Sequence, residues 1–82
     1  MNIDYSKDAV KSIKSIDSRT KQRIKNAIES IPSGDIKPLK GTDACFRLRV
    51  GMYRIIFEYK EKDLIYIIKI ATRGDAYKGG LL

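Results

Sequence analysis

Apolar and polar positions alternate through the stretch FRLRVGMYRIIF at 46–57. Read as strands, it sets Phe46, Leu48, Val50, Tyr53, Ile55 and Phe57 on one side and Arg47, Arg49 and Arg54 on the other. A two-residue turn at Gly51-Met52, with glycine taking a positive φ at the first turn position, pairs Val50 with Tyr53 and therefore Arg49 with Arg54. Like charges facing each other across a sheet repel, so this pair calls for an anion, with phosphate the first candidate.

Upstream the period changes. Asn2 to Tyr5 alternates briefly as a first strand, with Ile3 and Tyr5 inward. Ser6 offers a helix N-cap, Asp8 sits in the first turn, and Ala9, Val10, Ile13 and Ile16 recur at helical spacing. Asp17-Ser18 interrupts that stripe and caps a second helix with Ile24, Ala27, Ile28 and Ile31 on one face, ended by Pro32. The segment DIKPLKGTDA at 35–44 reads as a loop exposing Lys37 and Lys40. Three strands in meander order follow, at about 45–50, 52–60 and 63–71.

Pairing core residues with core residues in the second hairpin sets Tyr59 against Leu64, Phe57 against Tyr66 and Ile55 against Ile68. That register makes Tyr53, Tyr59 and Tyr66 core residues and puts Lys69 opposite Arg54. Arg49, Arg54 and Lys69 then form a cationic row that ends near Arg73. The predicted architecture is α+β, in the order β-α-α-β-β-β: a four-stranded, antiparallel-rich sheet with two helices on one face. The other face is left open, carrying Ile56, Ile65 and Ile67 beside the cations.

Composition narrows the chemistry. The 82 residues allow one domain, 1–82, with 79–82 as a flexible tail, and a hydrophobic fraction of 43% supports an ordered core. The net charge is +7, of which residues 37–82 carry +5, a footprint suited to nucleic acid or an acidic partner. The lysines and arginines of the two helices read mainly as a solvated face. The chain has no histidine, which excludes histidine acid–base chemistry and histidine metal sites, and its acidic residues are scattered singly. The single cysteine, Cys45, reads as a small buried hydrophobe and gives no sign of an oxidising compartment. With no leader and no apolar run near the roughly 20 residues of a membrane span, the expectation is a cytoplasmic protein that uses no cofactor.

Arginine and lysine can still cleave RNA, because the 2′-hydroxyl nucleophile belongs to the substrate. The protein need only align the attack, stabilise the phosphorane and manage two protons. Proton transfer is the weak point, since a free guanidinium has a pKa above about 12.

The pattern Leu39-Lys40-Gly41 followed by Phe46 to Arg54, with Arg73 and Tyr77 later, resembles the RelE/ParE superfamily of bacterial type II toxins over about residues 2–78. In the RelE branch, the resemblance implies metal-independent, ribosome-dependent mRNA cleavage, opposed by a cognate acidic antitoxin in a hetero-oligomer. By position, Arg47 and Arg49 match the basic pair whose first member serves as base, and Arg54 the residue that stabilises the phosphate. Arg73 matches the acid near the leaving oxygen, and Tyr77 the aromatic that stacks on a base. Lys37, Lys40, Lys69 and Lys78 are the further candidates for RNA or phosphate contact. Two positions depart from the pattern: Arg47 stands where a lysine often serves as base, and Thr72 where many relatives carry histidine or lysine. The ParE branch shares the fold but inhibits DNA gyrase, and an inactive relative that only binds an antitoxin is a third implication.

Overall fold

The computed structural model describes residues 2–41 and 44–72. Strand β1 (Asn2–Tyr5) passes directly into helix α1 (Lys7–Lys14), and Ser6 makes that junction. Its Oγ accepts the Ala9 N–H at 2.9 Å as the N-cap and donates to the Ile68 carbonyl at 2.6 Å, tying the helix start to the sheet. Asp17 caps α2 (Ser18–Glu29) in the same way, its carboxylate accepting the Thr20 N–H at 3.0 Å. Ala9, Ile16, Ile24 and Ile28 are the buried stripe of this helix pair, whereas Val10, also placed on the stripe by its spacing, is exposed.

Strands β2 (Asp35–Pro38), β3 (Cys45–Val50), β4 (Tyr53–Glu61) and β5 (Leu64–Thr72) complete one sheet in the order β1-β5-β4-β3-β2. Among the described residues it has five strands rather than four. The extra one lies in the segment read as a loop: Asp35, Ile36, Lys37 and Pro38 pair antiparallel with Arg49, Leu48, Arg47 and Phe46. A four-residue edge strand containing proline leaves little periodicity to detect, and proline is tolerated there because an edge residue can do without its N–H. β1 pairs parallel with β5, and the other neighbours are antiparallel.

The β3–β4 hairpin has the predicted register, Val50 against Tyr53 and Arg49 against Arg54, with Gly51 at φ +59°. The β4–β5 hairpin does not. Two bulges, leaving Lys60 and Ile68 as extra residues, shift the pairing to Tyr59–Ile65, Phe57–Ile67 and Ile56–Lys69. Lys69 therefore faces Ile56, not Arg54, and the cationic row across three strands does not form.

The same shift turns Ile65 and Ile67 inward. Both are fully buried against the helices with Leu48, Ile55, Phe57 and Ile70, rather than lying on the open face. Tyr66 is turned outward with its ring 5.5 Å from the Lys60 Nζ, while Tyr59, 40% exposed, sets its ring against Phe46 and Phe57. Tyr53 packs on the core as expected. The face away from the helices has its own small cluster, with Leu39 and fully buried Ile56 packed by Cys45, Ile68 and Ala71.

Candidate functional site

Alternation along β3 sends Arg47 and Arg49 to the face opposite the helices, and the two-residue turn brings Arg54 back beside them. Arg49 and Arg54 are direct cross-strand partners. Arg49 is exposed and Arg54 half-buried. Together with Gly51, Met52 and Thr72 they line an open cavity of about 580 Å³ at the hairpin tip. Two arginines paired across the strands and lining one cavity bring guanidinium N–H donors within reach of the non-bridging oxygens of one phosphate.

Arg47 is placed differently. It is only 7% exposed, with its Nη2 donating to Asp35 Oδ1 at 3.5 Å and its Nη1 buried without a hydrogen-bond partner among the described residues. Asp35 lies directly across from Arg49 and diagonally from Arg47, and it pairs with Arg47 as a counter-charge beside the arginine group. It belongs to β2, so a reading that makes 35–44 a loop cannot find it. The one local signal is the alternation of Asp35, Ile36 and Lys37 ahead of Pro38.

The lysines separate. Lys37 is exposed on β2 opposite Arg47, and Lys40 is exposed just beyond that strand. Lys69 reaches the helix layer, its Nζ 3.4 Å from Asp8 Oδ2 on α1, away from the arginine group. Arg73, Tyr77 and Lys78 lie outside the described residues. Among the described residues no three His, Cys, Asp or Glu side chains are grouped to hold a metal ion, and no helix is long and apolar enough to cross a membrane.

The profile of a family described as the ParE toxin of the type II toxin–antitoxin system parDE matches residues 3–77. The chain is 33% identical over 85 residues to the protein named RelE1 of Methanocaldococcus jannaschii, covering 94% of each. Among solved structures it resembles the RelE of a RelB–RelE antitoxin–toxin complex from Methanococcus jannaschii, with a TM-score of 0.70, 30% identity and coverage of 84% of this chain and 88% of that one. An archaeal RelE–RelB complex from Pyrococcus horikoshii OT3 is similar at a TM-score of 0.69 and 29% identity, over 92% of this chain and 97% of that one. The chain thus belongs to the ParE toxin family of type II toxin–antitoxin systems, within the RelE/ParE superfamily, and its relatives place it on the RelE branch.

Proposed function

We propose that this protein is a toxin that cleaves mRNA on the ribosome without a metal ion, and so arrests translation. The observation that carries the reading is the cavity at the hairpin tip, lined by the cross-strand partners Arg49 and Arg54. In the reaction the substrate's 2′-oxygen forms a bond to the adjacent phosphorus and the bond from phosphorus to the 5′-oxygen breaks, giving a 2′,3′-cyclic phosphate and a 5′-hydroxyl. The 2′-hydroxyl loses a proton and the leaving oxygen gains one. Arg49 and Arg54 hold the phosphate and take up the charge that grows on it in the phosphorane, where donors fixed in advance act most strongly. Arg47 and Arg73 are the residues the resemblance assigns to the two proton transfers, and Tyr77 the one it assigns to base stacking. The contact of Arg47 with Asp35 leaves it backing the site from within the sheet. Lys37 and Lys40, exposed on and just beyond β2, are the further proposed contacts for the RNA backbone, and the resemblance adds Lys78 to them.

A cognate acidic antitoxin is the proposed partner, held in a hetero-oligomer. Support comes from the relatives solved as RelB–RelE complexes and from the net charge of +7. Action on translating ribosomes puts the protein in the cytoplasm. Induced expression in bacteria, with mRNA 5′ ends mapped across translated frames, tests the reading. Growth arrest with new 5′-hydroxyl ends inside translated codons is expected, and arrest relieved by Arg49→Ala or Arg54→Ala. Arrest with intact messages would sink the nuclease reading. DNA breaks and an SOS response in place of mRNA cuts would assign the gyrase-inhibiting activity of the ParE branch, after which the matching family is named. Absence of both arrest and damage would leave an inactive relative that only binds its antitoxin.

A further inference from the structure

The turn that closes the arginine hairpin is shared by two cavities. Gly51 and Met52 line the cavity of Arg49 and Arg54, and they also line a second groove, of about 200 Å³, on the side toward the helices. That groove is completed by α2, which contributes Thr20 and Arg23, and by its cap residue Asp17. The Arg23 guanidinium lies against the turn: a Cβ on Gly51 would sit 3.6 Å from Arg23 Nη2 and 4.0 Å from Nη1. Between the two cavities stands Met52, 65% exposed, an apolar side chain with cationic groups on either hand. Asp17 is the acidic wall of the groove, and one of its oxygens is already taken by the Thr20 N–H as the helix cap.

We propose that this groove is a second RNA subsite, in which the single strand crosses the hairpin tip. One phosphate then sits at Arg49 and Arg54, a neighbouring phosphate sits at Arg23, and Met52 lies under the nucleotide between them. The inference rests on the RNA reading of the first cavity and adds to it the path of the strand. Charge complementarity and continuity select the occupant. The groove shares Gly51 and Met52 with the phosphate cavity, and its cation comes from the helix layer rather than the sheet. A ligand that meets both must be longer than one phosphate group, flexible and anionic, with an apolar part between its charges. A single-stranded polynucleotide has that alternation, since its bases offer flat faces between charged links. Among the basic residues on the helices, Arg23 is therefore more than part of a solvated face.

The test is fluorescence anisotropy of the full chain with a labelled 2′-O-methyl RNA dodecamer, which lacks the nucleophile and stays intact, over a series of salt concentrations. Each phosphate contact on a single strand contributes about 0.7 to the slope of log affinity against log salt. Arg23→Gln is expected to flatten the slope by about 0.7 and to weaken binding about fivefold near 0.1 M salt, with the circular dichroism spectrum unchanged. Arg23→Lys should keep the slope, and Met52→Ala should weaken binding with the slope intact. Wild-type affinity and slope in Arg23→Gln, alongside weakened binding in Arg54→Gln, would overturn the subsite and leave the first cavity standing. If both variants bind like wild type, the RNA reading of Arg49 and Arg54 falls, and the subsite with it. A glutamate dodecamer serves as the competing probe: if Arg23→Gln weakens its binding and leaves RNA binding unchanged, the groove takes an acidic protein segment and the proposal is overturned.

Discussion

Asp35 is the residue whose removal reads out the arginine group most directly. Its carboxylate is 48% exposed and 3.5 Å from Arg47 Nη2, while the Arg47 side chain is only 9% exposed. The expected loss for Asp35→Asn lies between that of a surface pair and a buried one, about 1–2 kcal/mol. Denaturant titration of Asp35→Asn, Arg47→Gln and the double variant checks it. A double variant no less stable than Arg47→Gln alone is expected, and strictly additive losses would show that the two residues act independently. Tyr5 gives a second, pH-dependent prediction. Burial chiefly, and the negative charge of Glu29 next, raise its phenol above the ordinary 10.0. A raised acid keeps its proton longer in the folded chain than in the unfolded one, so its contribution is present below pH 10 and is lost as pH climbs through that value. Thermal melts from about pH 9 to 11 should therefore fall less steeply in Tyr5→Phe than in wild type. At this scale the facing of Arg49 and Arg54 could be read from the chain, because a two-residue turn fixes register between near neighbours. The partner of Arg47 could not, because it arrives from a strand joined through a longer connection.

At the scale of elements, the helix starts were the most readable parts of the chain and the last hairpin the least. Ser6 caps α1 and also holds the Ile68 carbonyl, so Ser6→Ala removes two interactions, and a loss of about 1–2 kcal/mol in chemical denaturation is expected. Asp17 caps α2 as a carboxylate. The Thr20 backbone N–H chiefly, and other hydrogen bonds at the helix start, lower its pKa below the ordinary 3.8. Its contribution is thus present above that value and lost as pH falls below it. Asp17→Asn keeps a competent cap but has no carboxylate to protonate, so its stability should depend less on pH in that acid range; an unchanged acid profile would contradict this. β4 and β5 frustrate a period-two reading because each bulge adds a residue to one strand and reverses the faces until the next. The bulge at Ile68 sits where Ser6 bonds the strand, with the Ser6 N–H on the Ile67 carbonyl at 2.9 Å and its Oγ on Ile68. A contact from 62 positions away in sequence thus accompanies the break in alternation.

For the whole molecule, the arrangement brings charge from two layers to one end. Arg49 and Arg54 reach the hairpin tip from the sheet, and Arg23 reaches it from the helix pair. If Arg49 and Arg54 share one phosphate and Arg23 meets a second, the salt slope for single-stranded RNA is about −1.4, and affinity should fall about sevenfold between roughly 50 and 200 mM salt. Titration of the uncleavable dodecamer checks this, and a salt-independent affinity would remove the electrostatic account. The β2 edge beside the arginine strand presents exposed Lys37, across from Arg47, with exposed Lys40 just beyond it.

The sequence by itself determined the two capped helices, the central hairpin with its register, the apolar face of that hairpin and the cationic character of the face behind it. All of these follow from local spacing and turn chemistry, which act over a few residues. Only the tertiary structure decided that Asp35–Pro38 is an edge strand and that bulges turn Ile65 and Ile67 inward and take Lys69 to Asp8. It also decided that Arg47 is buried against Asp35, and that Arg23 alone of its helix's cations lines the groove at the hairpin tip. These depend on pairing between segments distant in the chain, where the packing of the whole sheet overrides the alternation of any one strand.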